Sequence, residues 1–243
     1  MEEKKIQPTS KEKEIVADQL KMGHSLDWAD LYADKETDSN EYIVYEVYKE
    51  LQTRDKELAM SELKKHAEAL LSDEIAKEVY VKIITDGYGF SDRETKEKSI
   101  RYSSLYKREI ANGKTEIYAE KYACAIAIDG RSKEYAELTA ELYDFASKKG
   151  ESDSLECDAF ICACADAYIN NYYVNDYEKL RKQYTKDWQQ EVLSMLNKRI
   201  DEESENHYLP LSGKRHIDAE MMNMMYPEGY DDDEMSELYD DDL

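Results

Sequence analysis

The sequence predicts an all-α protein: stacked helical hairpins, as an irregular α-solenoid or a multi-helix bundle, followed by an acidic C-terminal tail. Three observations carry this. All three prolines, Pro8, Pro210 and Pro227, lie near the ends, so every residue from 9 to 209 keeps the amide that a helix interior uses. Glycine is scarce at eight in 243 residues, and β-branched residues are sparse beside Ala, Glu, Lys and Leu. Finally, one short phrase occurs three times, as GHSLDWADLYA at 23–33, GKTEIYAEKYA at 113–123 and GRSKEYAELTA at 130–140.

That phrase reads as a helix end joined to the next helix start. Gly23, Gly113 and Gly130, with Gly150 as a fourth, suit the left-handed turn just past a helix C-terminus. Two residues on, Ser25, Thr115, Ser132 and Ser152 offer a side-chain oxygen to the unpaired amides of a first turn. Asp27, Glu116, Glu134 and Asp153 then set negative charge beside the new helix dipole. Stop and start this close together force consecutive helices to turn sharply and pack on each other. Small residues four apart line one face of each rod: Ala119, Ala123 and Ala127; Ala136 and Ala140; Ala159, Ala163 and Ala167. Large neighbours, including Tyr118, Tyr122, Tyr135, Tyr143, Phe160 and Cys164, interlock with them, so these tyrosines and cysteines are expected in the core.

Taken in order, a helix is expected to begin after Ser10 and to end at Gly23, with Ile15, Val16, Gln19 and Leu20 on one side. A short helix carrying Trp28, Leu31 and Tyr32 follows, closing at the Thr37-Asp38-Ser39 corner. From Asn40, Ile43, Tyr45 and Val47 alternate as in a strand, yet Val44, Tyr48 and Leu51 keep helical spacing. Length and the unbroken Glu/Leu/Ala/Lys-rich run to Leu71 favour helix. Ser72 and Asp73 open another that stops at Asp86-Gly87. In DGYGFSDRE, 86–94, the carboxylates do not fit the ligand positions of a calcium loop, and a corner ending in Ser91 is expected. A helix then runs to Asn112. Beyond the repeats come an apolar helix from Ser152 to about Val174 and one long last helix from Asn175 or Asp176 through Leu180, Tyr184, Trp188, Val192, Leu196 and Ile200. The organisation is therefore a flexible N-terminus over 1–9, an all-helical domain over 10–204 and an acidic Met- and Tyr-containing tail over 205–243. In its helix pairs the chain resembles tetratricopeptide-like arrays, but their residue signature is absent and the corners at 113, 130 and 150 are unevenly spaced.

Composition narrows the class. The chain is 41% hydrophobic and 37% charged, with no apolar run long enough for a bilayer and a charged beginning, MEEKKIQPTSKEKE, so a cytoplasmic protein is expected. The formal net charge is −23; the last 43 residues hold 15 acids and two bases, a net of −13 that leaves −10 for the first 200. Such a surface repels nucleic acid and anionic membranes. Cys124, Cys157, Cys162 and Cys164 form no Cys-x-x-Cys pair, so no zinc site is expected and the thiols read as reduced and buried. His24, His66, His207 and His216 read as surface residues, since none is placed with a nucleophile or triad. No phosphate loop, dinucleotide fingerprint or metalloprotease motif occurs, and no catalytic, cofactor or metal residue is singled out.

Recognition is therefore expected to lie outside the core. Met221, Met222, Met224, Met225 and Tyr226 form a compact apolar cluster in the tail. Tyr230 and Tyr239 lie among Asp231, Asp232, Asp233, Glu234, Asp240, Asp241 and Asp242. Methionines adapt to grooves and carboxylates steer them toward basic ones; the bland alternative is a solubilising disordered tail. The expected function is a non-enzymatic regulator or inhibitor that binds a protein with a basic surface. A special case is an acidic decoy in a nucleic-acid channel, as viral inhibitors of host nucleases are. The alternatives are a metal-dependent enzyme with an Asp/Glu site in a helical bundle, and a structural or assembly protein.

Overall fold

A computed structural model describes residues 9–37, 40–151, 154–169 and 175–207, with the backbone alone for 175–177, 201 and 203–207. Among the described residues there are eleven helices and no strand: α1 Ser10–Lys21, α2 Leu26–Thr37, α3 Ile43–Arg54, α4 Lys56–Leu70, α5 Glu74–Asp86, α6 Asp92–Ala111, α7 Glu116–Ala127, α8 Lys133–Lys148, α9 Leu155–Ile169, α10 Asn175–Gln183 and α11 Asp187–His207. None is long and apolar enough to cross a membrane. The chain divides into two compact units, one of residues 1–148 carrying α1–α8, the other of 149–243 carrying α9–α11.

In the first unit each helix packs on the next in sequence, and α3 also meets α5 and α6. The corners explain why. At Gly23 (φ 88°) the Gly23 amide donates to the Leu20 carbonyl and the His24 amide to Gln19; at Gly113 (φ 80°) the bonds run to Ile110 and from Lys114 to Glu109. This pair of bonds satisfies carbonyls that the helix leaves open, and it needs the left-handed residue between them. Ser25, Thr115 and Ser132 then accept from the amides of Trp28, Tyr118 and Tyr135, as capping residues do. Two cores result. One joins Trp28, Val47, Leu51, Leu63 and Tyr80 across α2–α5; the other seats Tyr118 and Tyr122 of α7 against Ala136 and Ala140 of α8. Small residues let the helices approach so that the rings fill the space between them.

Helix, not strand, is found over 43–54, but the run to Leu71 is broken at Asp55. Asp55 adopts an extended backbone (φ −150°, ψ 106°) and its amide donates to Leu51 at 2.8 Å. Its carboxylate accepts from the Leu58 amide at 3.0 Å, so one residue ends α3 and caps α4. The long last helix is likewise two helices. Gln190 donates to the carbonyls of Arg181 and Tyr184 at the end of α10, while the Gln189 side chain accepts from the Lys186 amide at the start of α11. Polar side chains that bond the backbone locally offset the missing helical bonds there. At α9 the hydroxyl nearest the start is Ser154, which accepts from the Cys157 amide at 3.0 Å; Ser152, Asp153 and residues 170–174 lie outside the described residues.

The core face of α9 is also rotated from expectation. Cys157, Phe160, Ile161, Cys164 and Ala165 are buried, whereas Ala159 and Cys162 are exposed. Phe160 meets Tyr184 at 4.9 Å and the edge of Trp188 at 5.1 Å. These rings fix which side of α9 turns inward, and Cys162, two residues from Phe160, is left outside.

The start of α3 has no cap of its own. Tyr42, which precedes it, makes no side-chain cap bond, and the Val44 amide donates instead to both carboxylate oxygens of Asp92 at 3.3 and 3.2 Å, 48 residues on. Burial pushes the Asp92 carboxyl up to about 6, against hydrogen bonds from the Val44 and Ile43 amides. The Asp92 amide returns a bond to the Glu41 carbonyl at 2.9 Å. Asp73 similarly caps α5 while accepting from Ser103 of α6 at 2.6 Å and from Lys107.

Replacing Asp92 by Ala is expected to lower unfolding stability by about 1 kcal/mol, with Asp92→Asn retaining most of it. An unchanged denaturation midpoint for the Ala variant would remove the capping role. Cys162 is expected to react with a thiol reagent in the native protein, whereas Cys157 and Cys164 wait for unfolding, the Cys164 thiol being pushed up to about 12 by burial. Mass mapping of the labelled thiols reads this directly.

Candidate functional site

The three copies of the repeated phrase share a further feature. At each corner the residue after Gly stacks on the aromatic ring four positions later: His24 on Trp28 at 5.0 Å, Lys114 near the centre of Tyr118 at 4.3 Å and Arg131 at Tyr135 at 4.9 Å. A cation or imidazole over an aromatic face is attracted by the ring quadrupole and covers it from water. The position read as free in the sequence is basic in all three.

At the first corner this residue is buried, and a polar cluster is built around it. Glu62, at the inward face of α4, accepts from His24 Nδ1 at 2.8 Å and from the Ser25 amide at 3.1 Å through Oε2. Its Oε1 accepts from Lys65 Nζ at 2.9 Å, and Lys65 reaches on to the Gly23 carbonyl at 3.4 Å. The carboxylate thus staples α4 to the α1–α2 corner. Burial alone would raise its pKa; the bonds from Lys65, His24 and Ser25 outweigh it and hold the group below the usual Glu range. An ionised carboxylate only accepts, so His24 carries its proton on Nδ1.

His66, one turn along α4 from Glu62, completes the cluster. Its ring lies 5.5 Å from His24, 5.8 Å from Trp28, 6.1 Å from Tyr32 and 6.3 Å from Tyr80. Burial, then the neighbouring His24, pushes the His66 imidazole down to about 4. The Trp28 indole N–H donates to buried Gln19 at 3.3 Å. The expectation that His24 and His66 lie on the surface is overturned. The signal was in the spacing: Ala59, Glu62, Leu63, His66 and Ala67 share one helical face, and all are buried. The side chains of His207 and His216 lie outside the described ones.

A carboxylate that orients an imidazole is the arrangement used in proton relays and behind metal-bound histidines. Here the side chains of His24 and Glu62 are 0% and 1% exposed, so a substrate has no approach to the pair. Among the described residues, no group of three or more His, Cys, Asp or Glu side chains is placed to hold a metal ion. What the cluster does is fix the angle of α2.

That angle presents a particular face to solvent. Leu26, Asp27, Asp30 and Asp34 are exposed on α2 while Trp28, Ala29, Leu31 and Ala33 turn inward. Among the described residues no cation pairs with these three aspartates. The tail residues singled out from sequence, from Met221, Met222, Met224, Met225 and Tyr226 through Tyr230 and Asp231 to Tyr239 and Asp242, lie outside the described residues. Comparison with known proteins leaves the site to be read on its own geometry: no family model, no curated protein and no solved structure matches the chain.

The folded chain takes up the His66 proton near 4, the unfolded chain near 6.5, so acidification between these values favours unfolding and removes about 3 kcal/mol by its end. Asp92, raised to about 6, binds its proton first in the folded state and offsets part of this loss. His66→Phe is therefore expected to flatten the fall of stability from neutral pH toward pH 4, followed by chemical denaturation. In the natural chain the His66 ring stays neutral by NMR at mildly acid pH; titration at the ordinary histidine value would contradict its burial.

Proposed function

We propose that this chain is a non-enzymatic protein-binding regulator or inhibitor whose partner presents a basic surface. One observation supports the reading above others. The imidazole–carboxylate pair that could do proton chemistry is sealed inside a helix corner, while in a chain of net charge −23 the carboxylates of Asp27, Asp30 and Asp34 on α2 face outward. Buried groups fix the scaffold and exposed ones meet the partner. Exposed carboxylates raise the rate and selectivity of encounter with a basic surface more than the strength of the final contact. A partner whose basic surface normally holds nucleic acid is the special case, with carboxylates taking the place of phosphates. In this reading the tail cluster Met221–Met225 and its flanking acids add to the contact.

Titrating the full chain with a purified basic nucleic-acid-binding protein, and with an acidic protein of similar size, tests this. Binding is expected for the basic protein only, weakening at least tenfold from about 50 to about 500 mM NaCl and competed by duplex DNA. Affinity indifferent to salt, or equal for both proteins, would overturn the proposal. Replacing Asp231, Asp232, Asp233, Asp240, Asp241 and Asp242 by Asn reads the share carried by the tail.

A further inference from the structure

Resting on that reading, we propose that the α1–α2 corner is the docking site for an amphipathic, basic segment of the partner, in which apolar side chains are flanked by Lys or Arg. Three large apolar residues surround Gly23, and each is left in water: Leu20 is 45% exposed, Met22 51% and Leu26 57%. The corner itself does not call for Met22 and Leu26. At the α6–α7 corner, closed by the same pair of backbone bonds, the equivalent positions hold Ile110, Asn112 and Glu116; at the α7–α8 corner they hold Ala127, Asp129 and Lys133. Where other corners carry polar residues directly before the glycine and three after it, this one carries Met and Leu.

Charge selects the occupant. Along α2 the exposed stripe continues from Leu26 through Asp30 to Asp34, one turn apart, with Asp27 beside it. Cations of α2 and of the corner are committed elsewhere: Lys35 pairs with Glu50 at 3.4 Å, Lys21 with Asp18 at 2.7 Å and Lys65 with Glu62 at 2.9 Å. An apolar patch bordered by free aspartates favours a segment with apolar side chains on one face and basic ones beside it. The chain's own tail has the methionines but is flanked by acids, so the aspartates repel it. Methionine at the centre suits the role, because its flexible thioether fits an uneven apolar surface.

The experiment uses the full chain and two labelled synthetic helical peptides, one built from Leu and Lys at amphipathic spacing, the other with Glu for every Lys, followed by fluorescence anisotropy. The Leu/Lys peptide is expected to bind and the Leu/Glu peptide not. Met22→Asn with Leu26→Glu, the residues found at the α6–α7 corner, is expected to fold with an unchanged melting temperature and to bind the Leu/Lys peptide at least tenfold more weakly. That loss would run against the extra negative charge, so it reads the apolar contact. Equal binding by the variant overturns the corner as the site and leaves the broader reading standing; failure of the natural chain to bind either peptide overturns both. Light scattering that shows a dimer for the natural chain and a monomer for the variant overturns the proposal in favour of a second copy.

Discussion

The amides and carbonyls that a helix end leaves unpaired are the constraint from which this structure follows. Short corners give the chain little room to satisfy them locally, and remote side chains finish the task. Glu62 of α4 accepts from the Ser25 amide, Asp92 of α6 from the Val44 amide, and Lys98 of α6 donates to the carbonyls of Ala127 and Ile128 at the end of α7. Each such bond is worth about 1 kcal/mol, yet each also fixes the direction in which a helix leaves its corner. Packing of the apolar faces then proceeds between helices whose angles are already set.

The buried corner shows how one position serves two environments. Lys114 and Arg131 keep their charge in water while covering an aromatic ring. At the first corner the same position is enclosed by α4, where a permanent cation would need full compensation for its lost hydration. Histidine stacks equally well on Trp28 and can donate a single hydrogen bond to Glu62. The two neighbouring imidazoles follow from this: once α4 closes over His24, His66 becomes a core residue and its neutral form is favoured.

Function, on this account, is a property of what the scaffold holds outward. The buried His24–Glu62 pair serves the architecture, and the surface proposed to meet a partner is made of simple groups in a defined arrangement, carboxylates on α2 beside an apolar corner. Affinity of that kind depends on placement, so in the proposed role the stapling of α2 by Glu62 bears on recognition even though the Glu62 side chain is only 1% exposed.

By itself the sequence determined the helical class, the glycine corners and the tyrosine–alanine core of α7 and α8, because glycine, capping hydroxyls and spacing of apolar residues act over a few residues. Gly23, Gly113, Ser91 and Thr115 stand where their local chemistry puts them, as do Tyr118 and Tyr122 in the core. Only the tertiary structure decided the breaks at Asp55 and after Gln183, the inward face of α9, and the burial of His24, His66 and Glu62. A helix run does not announce that a single aspartate will end it and restart it, nor does a polar residue on a Lys/Glu-rich helix declare its partner. Those outcomes depend on groups many residues apart, such as Glu62 with Ser25 and Asp92 with Val44, which meet only once the helices have packed.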